Sequence, residues 1–370
     1  MNKIYFDSVS TTSLNKEVLK TYKEILDNHY CNSDALYDDG VTIYNMQEKS
    51  RGNIAKLLNV EKDEIIFTSG ASEANSLAIK GLCLNNQKKK HLITSIYEHS
   101  SVYNSFKQLE EKFGFDVTYL YPNKDGIISP EDVKNALRDD TLLVSIMLVN
   151  NEIGSVNDIN SIKEIVKKHS GTYFHCDITQ GIAKVDIDLK DIDLASFSAH
   201  KIHGLKGSGV LVKKKHVDLM PIISGGQQEY GIRGGTSNAP SNIVLAKTLR
   251  LALENKDKHA AYVDELKNYF IKRIGEVSEV KINSPKGSVN LVNISTPIKS
   301  EVELNALNAR DIMVSSKSTC GSRKNENNRT LKSLDIDEDY ALRVSFDYSN
   351  TKEEIDYFIE CIKEDIKRYA

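Results

Sequence analysis

The sequence predicts an α/β protein with a large domain on a mostly parallel sheet and a smaller α+β domain at the C-terminal end. Three observations carry this. Apolar runs of strand length alternate with longer stretches of helical spacing through the first two-thirds of the chain, the pattern of strands joined by crossover helices. Polar residues recur just past the carboxyl ends of those runs, where open parallel sheets bind their ligands. At 370 residues the chain is longer than one hydrophobic core sustains, so a second core is expected.

An N-terminal arm, residues 1–13, precedes a stretch of helical spacing at 14–28. NSDALYDDG, from Asn32, is a polar loop, and helical spacing returns over 41–58 before a short strand at 64–67. The small residues of TSGASEAN then open a helix. Its unpaired N–H groups and the Ser72 hydroxyl offer an anion site; an ordinary serine-capped turn explains this stretch equally well by itself. Strand 91–95 is followed by Glu98 and His99, strand 142–149 by Asn150, Asn151 and Glu152, and strand 172–176 by Asp177 and Gln180. Helices over 101–113 and 159–169 lie between them. In ASFSAHKIHGLKGSG, Ile192, Leu194, Ser196 and Ser198 alternate as in a strand, and Lys201 follows between His200 and His203. A parallel sheet brings Ser72, His99, Asn151, Asp177 and Lys201 to one edge. Each alone has a plain explanation as a surface, turn or capping residue. A lysine desolvated there, or near other cations, loses its proton readily and forms Schiff bases with carbonyl compounds.

From Pro221 the chain is glycine-rich (ISGGQQEYGIRGGTSN), and one long helical stretch over 241–274 then marks the boundary between a large domain, 14–250, and a small domain, 251–370. Strands at 289–294 and 342–346 and helices at 300–309 and 352–368 follow. SSKSTCGSRKNENNRTLKSL has no apolar periodicity and reads as a mobile surface loop exposing Cys320, whose thiolate Lys317, Arg323 and Lys324 favour; an incidental exposed cysteine is the alternative. The other cysteines, Cys31, Cys83, Cys176 and Cys361, are scattered, with neither disulfide nor zinc spacing, and the nine histidines form no ligand-spaced clusters with them. Cys31 reads as a filler beside Asn32. Forty-nine basic against 52 acidic residues give no reason to expect nucleic acid or an anionic membrane as partner. No apolar run approaches the roughly 18 residues of a membrane span and no signal-peptide core is present, so a cytoplasmic location is expected.

Six segments, TSGASEAN, TSIYEHSSV, VSIMLVNNEIGSVNDI, FHCDITQ, SFSAHKIHGLKGSGVL and GIRGGTSN, together resemble the cysteine desulfurases, pyridoxal-phosphate enzymes of fold type I in the class-V aminotransferase group. The resemblance runs from YFDSVSTT at Tyr5 to TKEEIDYFIE at Thr351. It implies that Lys201 carries pyridoxal 5'-phosphate and later moves the substrate Cα proton, and that Asp177 pairs with the ring nitrogen. His99 stacks on the ring, and Asn151 and Gln180 lie near its phenolic oxygen. Ala71, Ser72, Ser198 and His200 hold the phosphate, joined by Thr236 from a second copy in a homodimer. Arg343, with Asn32 and Asn151, binds the substrate carboxylate. Cys320 is the nucleophile that takes the sulfur of L-cysteine, leaving alanine and a persulfide for a sulfur-acceptor protein, such as an iron–sulfur scaffold or a tRNA-thiolation enzyme.

The chain departs from the family pattern at Ser33, Tyr37, Tyr230, Lys317, Asp347 and Tyr348. These positions are expected around the substrate and the cysteine loop. The departures at Tyr37, Tyr230 and Lys317 keep a selenocysteine lyase acting on L-selenocysteine as an alternative. A non-catalytic iron–sulfur scaffold is a further one, against which Lys201, Asp177 and His99 speak.

Overall fold

The computed structural model describes residues 3–86, 88–285, 287–316 and 328–370. After strand β1 (Ile4–Tyr5) come helices α1 (Lys16–Asn28) and α2 (Asp38–Leu58). The large sheet then forms from β2 (Ile65–Thr68), β3 (His91–Ser95), β4 (Asp116–Leu120), β5 (Thr141–Ser145), β6 (Tyr173–Asp177), β7 (Leu194–Ser198) and β8 (Gly209–Lys213). Between these strands run α3 (Ala71–Asn85), α4 (Ser100–Phe113), α5 (Pro130–Ala136) and α6 (Ile159–Lys167). The strand order is β2-β8-β7-β6-β5-β3-β4, and β8 is antiparallel to both its neighbours. Strand β2 therefore points the same way as β7, β6, β5 and β3, and all five end on one edge.

Two apolar layers make the sheet's register obligatory. Ile93, Val144, Phe174 and Phe197 pack into one cluster, while Leu92, Leu143, Leu194 and Leu211 pack into another on the opposite face. A one-residue slip would exchange the two sets. Both faces are covered by helices, which is why the central strands are apolar throughout rather than alternating with polar residues.

A second core gathers Val263, Phe270, Val292, Leu342 and Phe358 with Ile4 and Phe6 of the arm. Helix α7 (Ala239–Glu254) packs against α1 and α2; around the second core lie α8 (Lys256–Ile274), β9 (Lys281–Ile282), β10 (Leu291–Ser295), α9 (Ser300–Asn308), β11 (Ile312–Met313), β12 (Ala341–Ser345) and α11 (Lys352–Tyr369), while α10 (Arg329–Ser333) joins a small separate cluster through Leu331. Strand β10 lies antiparallel between β9 and β12, and β1 pairs in parallel with β11. The arm is thus stitched to the C-terminal core before the chain enters the large sheet.

Two expectations need correction. The helical stretch over 241–274 is two helices, because the Asn255 side chain donates to Leu251 O at 2.8 Å and ends α7, and the same residue then flanks the start of α8. The strand expected over 142–149 stops at Ser145. Residues 146–149 are apolar because they are buried, and the Met147 carbonyl is satisfied by Asn157 Nδ2 at 2.7 Å rather than by a neighbouring strand.

Candidate active site

Lys201 lies three residues beyond β7, in a turn that is packed under the N-terminal arm. Its Nζ donates to the carbonyls of Val9 and Ser10, the latter at 2.8 Å. Burial, reinforced by the charges of Arg343 and Lys184, lowers its pKa to about 7. Near neutral pH this amine is therefore available as a nucleophile and proton acceptor. Lys184 is lowered to about 8, again chiefly by burial. Gln180 ties these two lysines together, because its Nε2 donates to Val9 O at 3.1 Å and its Oε1 meets Lys184 Nζ at 3.5 Å.

Asp177, the last residue of β6, is 4 % exposed. One oxygen accepts from Thr179 N at 2.9 Å and the other from Asn75 Nδ2 at 2.8 Å. Among the described residues no cation pairs with it. A buried carboxylate without a counter-ion is costly. A protonated ring nitrogen would satisfy it, so the site fits pyridoxal phosphate. His99 caps α4, its Nδ1 accepting from Ser101 N at 3.2 Å and facing Ser101 Oγ at 2.8 Å. Burial lowers its pKa, leaving a neutral ring with the proton on Nε2.

The start of α3 lies at the same sheet edge, beside the end of β7. Gly70 has φ +147° and a Cβ there would lie 3.2 Å from Ser198 Oγ, so only glycine lets the turn come this close to β7. Ser198 Oγ accepts from Ala71 N at 2.6 Å. The His200 ring, lowered to about 4 mainly by burial, faces Thr11 Oγ1 at 3.1 Å. Ser72 and Thr236 are exposed.

Arg343 in β12 is clamped from four sides. Nη1 donates to Asn151 O and Glu152 Oε1, both at 3.0 Å, and Nη2 to Ser10 Oγ at 2.8 Å and Asp7 Oδ1 at 3.2 Å. Its Nε is buried without a hydrogen-bond partner among the described residues. Asn151 Nδ2 donates to Glu152 Oε1 at 2.6 Å. Asn32 is exposed, accepts from Asp34 N at 3.0 Å, and is not among Arg343's hydrogen-bond partners. Cys320 and Lys317 lie outside the described residues; Cys31, Cys83, Cys176 and Cys361 are free thiols. No group of three or more His, Cys, Asp or Glu suited to a metal occurs among the described residues.

Among the described residues, the departures from the family pattern are not hydrogen-bond partners of Arg343. Asp347 meets His203 Nε2 at 3.3 Å, and the Tyr348 ring stacks on His259 at 3.9 Å. They line a cavity of about 580 Å³ that Lys184 and Lys201 also reach. Tyr37 and Tyr230 stand on exposed loops. Sequence reasoning passed over Asn75, Ser101, Asp7, Ser10 and Lys184. Asn75 and Ser101 lie inside TSGASEAN and TSIYEHSSV, but their roles depend on contacts 26 and 102 residues apart, which spacing does not reveal.

The family model for class-V aminotransferases matches residues 4–358. The chain is 39 % identical to the cysteine desulfurase IscS of Clostridium botulinum over 381 aligned residues, covering 100 % of this chain and 96 % of that protein. It is 36 % identical to the cysteine desulfurase IscS of Methanosarcina thermophila, covering 99 % and 92 %. A solved NifS-like protein superposes with a TM-score of 0.92 at 32 % identity, covering 99 % of this chain and 100 % of that one. SspA, solved in complex with cysteine, superposes with a TM-score of 0.82 at 32 % identity, covering 94 % and 100 %. With the α/β architecture of fold type I and these full-length likenesses, the chain belongs to the cysteine desulfurase family of class-V aminotransferases.

Proposed function

We propose that this protein is a pyridoxal-phosphate-dependent cysteine desulfurase that converts L-cysteine to L-alanine and holds the sulfur as a persulfide on Cys320. The observation that carries the reading is the pair of Asp177, a buried carboxylate without a counter-ion among the described residues, and Lys201, a buried amine, at the ends of adjacent strands. Bound pyridoxal phosphate would supply an electron sink for the substrate Cα. Lys201 Nζ takes the Cα proton, a role its lowered pKa suits. Arg343 holds the substrate carboxylate, His99 lies on the ring face, and Ala71, Ser72, Ser198 and His200 hold the phosphate. The Cys320 thiolate attacks the substrate sulfur; the S–S bond forms as the Cβ–S bond breaks, the Cβ–S electron pair stays with the carbon fragment, Cβ takes up a proton, and alanine leaves.

A homodimer is part of this reading. Tyr30, Leu36, Tyr37, Ile222, Ile223 and Tyr230 are large side chains left exposed on two segments joined by Gln228 Nε2 to Asp34 Oδ2 at 2.6 Å. The exposed Thr236 follows on the same loop, and a second copy seated there would cover the apolar side chains and receive Thr236 at its phosphate site. Glu229 pins this loop: its carboxylate takes two hydrogen bonds from Arg51 and one from Phe67 N, and both side chains are buried. The persulfide sulfur passes to an acceptor protein in iron–sulfur cluster assembly. No helix among the described residues is long and apolar enough to cross a membrane.

The test is an assay of wild type and Cys320→Ala with L-cysteine and with L-selenocysteine, quantifying alanine, sulfide and selenide under reducing conditions. Alanine and sulfide from cysteine, abolished by the substitution, are expected. Turnover of selenocysteine alone would overturn the substrate assignment.

A further inference from the structure

Asn75, in the second turn of α3, is fully buried between the two groups that flank the expected ring. Its one amide nitrogen donates to Asp177 Oδ2 at 2.8 Å and to Ser101 Oγ at 2.9 Å. With its acceptor side filled by that N–H, the Ser101 hydroxyl is free to point its proton at His99 Nδ1, 2.8 Å away, and the Ser101 backbone N–H reaches the same atom. The donations thus run in one direction, from Asn75 through Ser101 to His99. The remaining proton of the neutral imidazole is then on Nε2. A flipped Asn75 would set its oxygen against the Asp177 carboxylate, which fixes the amide orientation although Oδ1 has no partner among the described residues.

We propose that Asn75 is a positioning residue that orients Asp177 and sets the tautomer of His99 through the two protons of one amide. The inference rests on the cofactor reading above. The two expected contacts of a pyridoxal ring come from different elements, Asp177 from the end of β6 and His99 from the cap of α4. Asn75 holds them in register, so that they are in place before the cofactor arrives.

The experiment uses apo-protein and pyridoxal phosphate as the probe, with the dissociation constant and the pH midpoint of the visible cofactor band as readouts. Asn75→Leu keeps the volume and removes both donations, so the dissociation constant should rise about tenfold and the midpoint should move. Ser101→Ala breaks only the His99 arm and should raise the dissociation constant about threefold. The double variant should bind no more weakly than Asn75→Leu, because the arms share one donor. Asn75→Ser, too short to reach either partner, serves where Asn75→Leu does not fold. Unchanged affinity and midpoint in the Asn75 variants would overturn the inference alone. Failure of the wild type to take up the cofactor would instead overturn the functional reading beneath it.

Discussion

Arg343 and Glu152 form an ion pair of 3.0 Å in which each side chain is only 4 % exposed. Burial raises the Glu152 pKa while the Arg343 charge opposes it. Removing one member of such a pair leaves a desolvated charge behind. Arg343→Ala should therefore cost about 3–5 kcal/mol of stability, and Arg343→Ala with Glu152→Gln distinctly less. Urea unfolding of both variants checks this, and an equal loss in the two would show that the stranded carboxylate is not the cause. If Arg343 also holds the substrate, Arg343→Lys should raise KM for L-cysteine at least tenfold, because lysine lacks the planar fork.

The low pKa of Lys201 sets a second expectation. At about 7 its amine is roughly half unprotonated at neutral pH. The rate at which apo-protein takes up pyridoxal phosphate should accordingly rise with pH and level off near 7 to 8. Lys184→Met removes a neighbouring positive charge and should move that midpoint upward by about half a unit. A wild-type profile still rising at pH 10 would refute the shift.

Glu98 offers a stability test that does not depend on activity. Burial, with a smaller contribution from Asp177, raises its pKa to about 8, and its Oε2 has no hydrogen-bond partner among the described residues. A carboxyl raised in the folded state favours folding at low pH and loses that contribution as pH climbs through about 8. Glu98→Gln keeps Ser95 Oγ and Met147 N as donors to its oxygen and removes the ionisation. Between pH 6 and 9 its melting temperature should fall less than that of wild type, by several degrees. Parallel curves would place the titration elsewhere.

Ala183 has φ +56°, a left-handed conformation that disfavours a Cβ. Ala183→Gly should stabilise the protein by about 0.5–1 kcal/mol, the relieved strain exceeding glycine's greater freedom in the unfolded chain. A lower urea midpoint in the variant would show that the Ala183 methyl contributes packing that outweighs its backbone strain.

Much of the fold was legible because it rests on local patterns. Strand-length apolar runs and helical spacing located the core strands β3, β6 and β7 and the helices between them, and the polar residues at the strand ends pointed to one edge. Strands β4 and β8 escaped notice. The half-exposed β4 lies at the sheet edge, and β8 follows a glycine-rich turn that hid its start. Asn255 broke a helix that periodicity ran through, since one side chain competing for a backbone carbonyl leaves the apolar pattern intact.

The sequence by itself determined the α/β class, the strand-end placement of His99, Asp177 and Lys201, and the family resemblance, all of which depend on the order and spacing of neighbouring residues. Only the tertiary structure decided that the arm's Val9 and Ser10 hold Lys201, that Asp7 and Glu152 clamp Arg343, and that Asp347 and Tyr348 line a cavity shared with Lys184 and Lys201. Those relationships join residues up to 336 positions apart. They arise because the arm packs into the C-terminal core and so crosses the strand ends, a consequence of three-dimensional burial that no local pattern encodes.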